Sequence, residues 1–254
     1  APAAANSLAF NKNLVIDTIK PTVEFVTSTT PNGTSKLGDV IPILIDFSEN
    51  IYVTGTPTLA LETGAANTAV NYTSGSENDT LVFNYAVAAG NSSNDLDYVA
   101  TTSLNDGTSM KDLAGNDIDT TLAVPGAANS LGANKALVVD GIVPTVDSVS
   151  TTTVDGYYNA GDTIQVVLYV NESLAVTGTP KLLLETGTSD ASAPYTSNTT
   201  GTGRQTVYFQ YIVSAGHNNA DLDYTDTTSL SLDGGSIKDV AGNVMNLTLP
   251  VPGQ

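Results

Sequence analysis

The feature that most constrains this chain is that it repeats itself once. Pro21, Gly33, Gly38, Gly55, Pro57, Glu62 and Tyr72 recur as Pro144, Gly156, Gly161, Gly178, Pro180, Glu185 and Tyr195, each 123 positions later. The run VTGTP at 53–57 returns intact at 176–180. An insertion near 198–203 lengthens the offset to 126, so DLDY at 95–98 returns at 221–224, and one further residue aligns KDLAGN at 111–116 with KDVAGN at 238–243. A chain made of two copies of one unit must adopt a fold that works twice, so the repeat is read before any secondary structure.

Inside each copy the apolar period is two, the pattern of half-buried strands. Ile41, Ile43, Ile45 and Phe47 match Ile164, Val166, Leu168 and Val170 at the same parity. Leu81, Phe83, Tyr85 and Val87 match Val207, Phe209, Tyr211 and Val213 in the same way. These runs predict the inward faces of central strands. Shorter strands are expected at 22–28, 58–62, 69–74, 103–111 and 135–139, separated by clusters of Gly, Asn, Asp and Ser that favour turns. No stretch shows a helical period. Roughly seven strands in about a hundred residues suggest an immunoglobulin-like sandwich. The expected architecture is all-β, two tandem immunoglobulin-like β-sandwiches, the second lacking its own last strand.

Composition narrows the chemistry. The 254 residues carry 26 acids against 8 bases, a net charge of −18 that repels nucleic-acid phosphates and anionic lipid surfaces. With no Cys and a single His, disulfides, thiol chemistry, Cys zinc sites and most catalytic triads are excluded. No apolar run reaches membrane-spanning length, so membrane insertion is not expected. GxSxG, P-loop and HExxH motifs do not occur. Glu49 and Glu172 stand in different copies, each without a second carboxylate that the sequence pairs with it for glycoside hydrolysis. No enzyme is expected.

Several motifs in one order, namely Asp-x-x-x-Pro opening each copy, then Gly-Asp, FSEN at 47–50, VTGTP, LETG, DLDY and DLAGN, resemble a bacterial Ig-like repeat of the kind arrayed in very large surface adhesins. The resemblance covers essentially the whole chain. The second copy departs from it at VNES, 170–173, where the Phe is lost and the acid is kept as Glu172. The resemblance implies an extracellular, structural or adhesive role on a cell surface or in a secreted filament.

The repeat is cut in an informative place. The first copy runs through AANSLGANKALVVD at 127–140, whose apolar end should form the last strand of its sandwich, and the second copy reaches Gln254 without that stretch. Its match lies at the other end, where Ala5, Asn6, Ser7, Leu8, Asn11, Lys12, Leu14, Val15 and Asp17 correspond to Ala128, Asn129, Ser130, Leu131, Asn134, Lys135, Leu137, Val138 and Asp140. The expected organisation is a donor-strand segment over 1–17, a first repeat over 18–140 with its last strand near 135–139, and a second repeat over 141–254. A sandwich missing a terminal strand exposes core and backbone groups. A neighbouring copy can supply the strand by β-strand addition, and because donor and acceptor lie at opposite ends the contact propagates into a filament. Parity nominates Leu8, Phe10, Leu14 and Ile16 as the strand-exchange face, with Leu14 and Ile16 contributing about 1.5–3 kcal/mol each on burial. The partner is then a second copy of the chain, with a cell-surface or matrix ligand left unidentified. Two alternatives stay open: a spacer segment of a giant repetitive cell-surface adhesin, and a carbohydrate-binding module.

Acids recur where the repeats join. Asp95, Asp97, Asp140, Glu172, Asp239 and Asn243 could supply the six to eight oxygens that Ca²⁺ takes, and Asp17, Glu49, Asp112, Asn116, Asp221 and Asp223 are the equivalent set at a joint between copies of the chain. Calcium is therefore the one expected cofactor, against the alternative that Asp112 and Asp239 only brace turns. His217 reads as a solvated turn residue.

Overall fold

The computed structural model describes residues 5–107 and 110–253. Residues 1–4 of the expected donor segment, and 108–109 inside the strand expected over 103–111, lie outside them. The protein is all-β, 41% strand and 3% helix, with curled antiparallel sheets. Two compact units meet at Asp140 and Gly141.

In the first unit β1 (Val23–Ser28), β2 (Gly33–Lys36), β3 (Val40–Val53), β4 (Thr58–Leu61), β5 (Thr68–Ser74), β6 (Asn78–Ala86), β7 (Ser92–Ser93), β8 (Leu104–Asn105), β9 (Met110–Lys111) and β10 (Leu137–Asp140) follow in chain order. The larger sheet runs β1-β3-β6-β5-β4-β8, with β9 against the far end of β3. Ile41, Ile43 and Ile45 alternate inward along β3 and meet Tyr85, Phe83 and Leu81 of β6 in register. This is the expected period of two carried into a shared core. Turn geometry is set locally: at Gly75, with φ +112°, a Cβ would lie 2.2 Å from the Thr80 carbonyl oxygen, so only glycine lets the chain enter β6 there.

The second unit contains β11 (Val146–Thr151), β12 (Thr163–Val170), β13 (Ala175–Thr177), β14 (Lys181–Leu184), β15 (Ala191–Asn198), β16 (Gln205–Ile212), β17 (Leu230–Ser231) and β18 (Ser236–Lys238). Its large sheet, β11-β12-β16-β15-β14-β17, has the order of the first unit's, while β13, the match of the end of β3, is separate from β12 and pairs with β18 in a sheet of its own. Side-chain geometry repeats as well. Tyr72 meets Phe83 edge-on at 6.1 Å and 74°, and Tyr195 meets Phe209 at 6.3 Å and 75°. Tyr98 donates its hydroxyl to the Ala123 carbonyl, and Tyr224 donates to that of Pro250.

The units differ most in a second sheet. The first has an additional sheet, β2-β10-β7, in which Leu137–Asp140 pairs parallel with Gly33–Lys36 and antiparallel with Ser92–Ser93. Among the described residues the second unit has no such sheet, and residues 156–159, the match of β2, are in no strand.

Sequence periodicity also missed two single helical turns, α1 (Leu8–Asn11) and α2 (Leu131–Asn134). Each is capped by the serine before it, Ser7 accepting from Phe10 N–H and Ser130 from Ala133 N–H. Four residues are too few for a 3.6-residue period to register.

Candidate functional site

The stretch over 128–140 is seated in the first unit by a small number of specific bonds. Asn129 enters with a positive φ of 74° and accepts the Val26 N–H at its carbonyl, and Asn134 returns the contact by donating its side-chain amide to the Val26 carbonyl. Ala136 N–H donates to Asn32 Oδ1, Gly33 N–H to the Ala136 carbonyl, and Leu96 N–H to the Leu137 carbonyl. Under these bonds Leu131, Leu137 and Val139 are fully or almost fully buried against Val26, Ile41, Val87 and Leu96 in one cluster.

Segment 5–17 carries nearly the same residues in the opposite circumstance. Leu8, Leu14, Val15 and Ile16 are largely exposed, Leu14 at 69% where its match Leu137 is 0%. Its local shape is nonetheless that of the seated segment: Asn6 has φ 67°, Ser7 caps α1 with φ −78° and ψ 159° against −75° and 164° at Ser130, and Lys12 closes the turn with φ −143° against −142° at Lys135.

The second unit shows the complementary deficit. Val149, Ile164, Val213 and Leu222, the matches of Val26, Ile41, Val87 and Leu96, are only partly buried at the margin of their core. Tyr157 is exposed at 104% and Val154 is largely exposed. The exposed segment and the second unit's partly buried margin thus match, residue for residue, the two sides of a contact that the first unit makes within itself.

One expected strand-exchange residue has an exposed match. Parity placed Phe10 on the face of Leu8, Leu14 and Ile16, but its match Ala133 is exposed. The helical turn is the reason, since residues two apart in a turn point to different sides whereas in a strand they share one. Leu8, Leu14 and Ile16 match buried Leu131, Leu137 and Val139, and Phe10 matches exposed Ala133.

The acids form a second feature. In the first unit Asp17, Glu49 and Asp112 bring carboxylate oxygens within 4.8 Å of one another, and in the second unit Glu172 and Asp239 do so. Asp112, 5% exposed, is locked by Asn116, whose backbone N–H bonds Oδ1 at 2.8 Å and whose side-chain amide bonds Oδ2 at 2.6 Å. Asp239 and Asn243 repeat this at 2.8 and 2.7 Å. The DxxxN loop therefore braces a turn and aims one carboxylate, while the Asn116 amide also donates to the Asp17 carbonyl. Burial would raise the Asp112 carboxyl, but the bonds from Asn116 and the N–H groups of Gly115 and Ala114 hold it below its ordinary value. Glu49 moves the other way, raised by burial first and then by the like charges of Asp17 and Asp112. Three oxygen donors with uncompensated repulsion fit a hard divalent cation such as Ca²⁺.

Asp95, Asp97, Asp221 and Asp223 are not among the carboxylates of these clusters. Asp97 accepts from the N–H groups of Tyr98 and Gly126, and Asp223 from those of Tyr224 and Gly253. Asp95 and Asp97 also border α2, where a Cβ on Gly132 would lie 3.3 and 3.0 Å from their Oδ2 atoms. Asp140 ends β10 opposite Lys36 and Ser92. His217 is more engaged than a solvated turn residue: its Nδ1 lies 2.6 Å from the Tyr211 hydroxyl and accepts the Ser214 N–H, the place taken in the first unit by Asn91 Oδ1 against Tyr85 and Ala88. No protein family and no curated protein matches the chain.

Proposed function

We propose that this chain is an extracellular structural subunit of immunoglobulin-like sandwiches, polymerising head to tail into a filament, with the N-terminal segment of one copy completing the second unit of the next by β-strand addition. The observation that carries this reading is the pair of matched states: one motif buried as β10 in the first unit, and again exposed over 5–17 while the second unit's corresponding groove stands partly uncovered. The acidic clusters take Ca²⁺. The cell-surface or secreted location rests on the likeness to adhesin repeats, and the chain has no catalytic role.

The test is assembly of the purified chain, followed by negative-stain microscopy and sedimentation over a concentration series. Wild type forms filaments; Leu14→Asp/Ile16→Asp places charges where the groove is apolar and gives only monomers. Filaments persisting in that variant would remove segment 5–17 as donor. A wild type that stays monomeric at every concentration would favour the spacer reading, in which each groove is filled by a neighbouring repeat of one long chain.

A further inference from the structure

The two seated positions are not chemically identical, and their differences fall in matched pairs. Where the first unit has Asn32 accepting the N–H of Ala136, the second unit has Asp155 and the free segment has Asn13. Where the first unit has Thr34 opposite Val138 in the parallel β2–β10 pairing, the second has fully exposed Tyr157 and the segment has Val15. Both changes add recognition chemistry to the contact between copies that the internal contact lacks.

We infer that the second unit's groove is selective for segment 5–17 of a second copy of this chain, with Asp155 clamping Asn13 and residues 156–159 zippering into a parallel strand along 14–17 that lays Tyr157 over Val15. This rests on the head-to-tail reading and names its specificity determinants. The segment arrives already shaped, since Asn6, the Ser7 cap and the Lys12 exit reproduce the seated geometry of Asn129, Ser130 and Lys135, so little ordering is required of it on binding. Val149 is then held between the Asn6 carbonyl and the Asn11 amide, as Val26 is between Asn129 and Asn134. Asp155 accepts the Asn13 backbone N–H at one oxygen and the Asn13 side-chain amide at the other. A carboxylate in place of the Asn32 amide makes these bonds charge-assisted. The second unit gains a strand only when occupied, which accounts for the coil at 156–159 among the described residues. Tyr157 gives the outer face of that strand an aromatic partner for a β-branched residue, a favourable cross-strand pair.

The experiment uses the full chain carrying Leu14→Asp/Ile16→Asp, which cannot donate its own segment, titrated calorimetrically with a synthetic peptide of residues 5–17. Acceptor Asp155→Ala weakens binding about tenfold, Asp155→Asn by less, and peptide Asn13→Ala weakens it about threefold on the unaltered acceptor with no further loss on Asp155→Ala. Asp155 lies on an exposed turn, so the acceptor's melting curve without peptide stays unchanged, which separates lost binding from lost folding. Tyr157→Ala weakens binding several-fold and removes the peptide-induced change in tyrosine fluorescence. Equal affinity for Asp155→Ala and unaltered acceptor, or an Asn13→Ala loss of the same size on both, would overturn the clamp while leaving head-to-tail docking intact. A peptide of 5–17 that binds no acceptor would overturn both.

Discussion

Leu14 and Leu137 occupy the same place in the same motif, and only the surroundings separate their energetics. Leu137 is fully enclosed, so Leu137→Ala leaves a cavity and should cost the first unit about 2–5 kcal/mol, read from denaturant melts. Leu14→Ala in the dispersed chain should move stability by no more than about 0.5 kcal/mol, because the side chain is already in solvent, and its effect should appear only in assembly. Equal destabilisation by both would mean that segment 5–17 is buried in the single molecule. The acids make a second residue-scale prediction whose sign differs between neighbours. Glu49 has a folded value above its ordinary 4.5, so its contribution favours folding below that pH and is lost as pH rises through the raised value. Asp112, Asp119 and Asp226 have lowered values, so theirs is present above 3.8 and lost as pH falls through the folded values. Glu49→Gln should therefore raise the melting temperature at pH 7 without divalent cations and converge with wild type in acid. Calcium should raise the wild-type melting temperature and do so less in Glu49→Gln; identical melting curves in calcium and in EDTA would remove the cation from the cluster.

At the scale of elements, the strands of the large sheets were legible because each inward residue recurs at the same parity in both copies, and two independent readings of one strand rarely err together. Ile41 through Phe47 and Leu81 through Val87 could be placed from alternation alone. The helical turns were not legible, and with them the side that Phe10 takes: a single turn inserted before a strand resets which side the next residue faces, while the sequence shows only Ser followed by apolar residues. The brace at Asp112 was visible as a motif, but whether its carboxylate met Glu49 depended on contacts from strands far apart in the chain. The element-scale prediction concerns amides. Val26, Gly33 and Leu96 donate to the seated segment, and their counterparts Val149, Gly156 and Leu222 make no such bond among the described residues. Hydrogen exchange should be slow at the first three in the dispersed chain, and should slow at the second three only on assembly. Protection at Val149 and Leu222 in strictly monomeric chain would count against an open groove.

For the whole molecule the same asymmetry makes stability depend on concentration. The first unit contains its own β10, whereas the second has a margin of partly buried apolar residues that, on the proposed reading, a neighbouring copy covers. In dilute solution the two units should therefore melt separately, the second first, and the chain should depart from two-state behaviour. A ligand that binds only the folded form stabilises it by mass action, about 2.7 kcal/mol when present at a hundredfold excess over its dissociation constant. For a unit of this size that corresponds to roughly 10 °C or more in the lower transition. Raising protein concentration, or adding peptide 5–17 to the Leu14→Asp/Ile16→Asp chain, should lift the lower transition toward the upper one and leave the upper one in place. The distinction from nonspecific association lies in that selectivity: aggregation or crowding would act on both units, whereas strand addition acts on the one that lacks a strand. Calorimetric scans over a hundredfold range of concentration would decide it, and two transitions that shift together, or a single transition indifferent to concentration, would refute the completion of the second unit by a neighbouring copy.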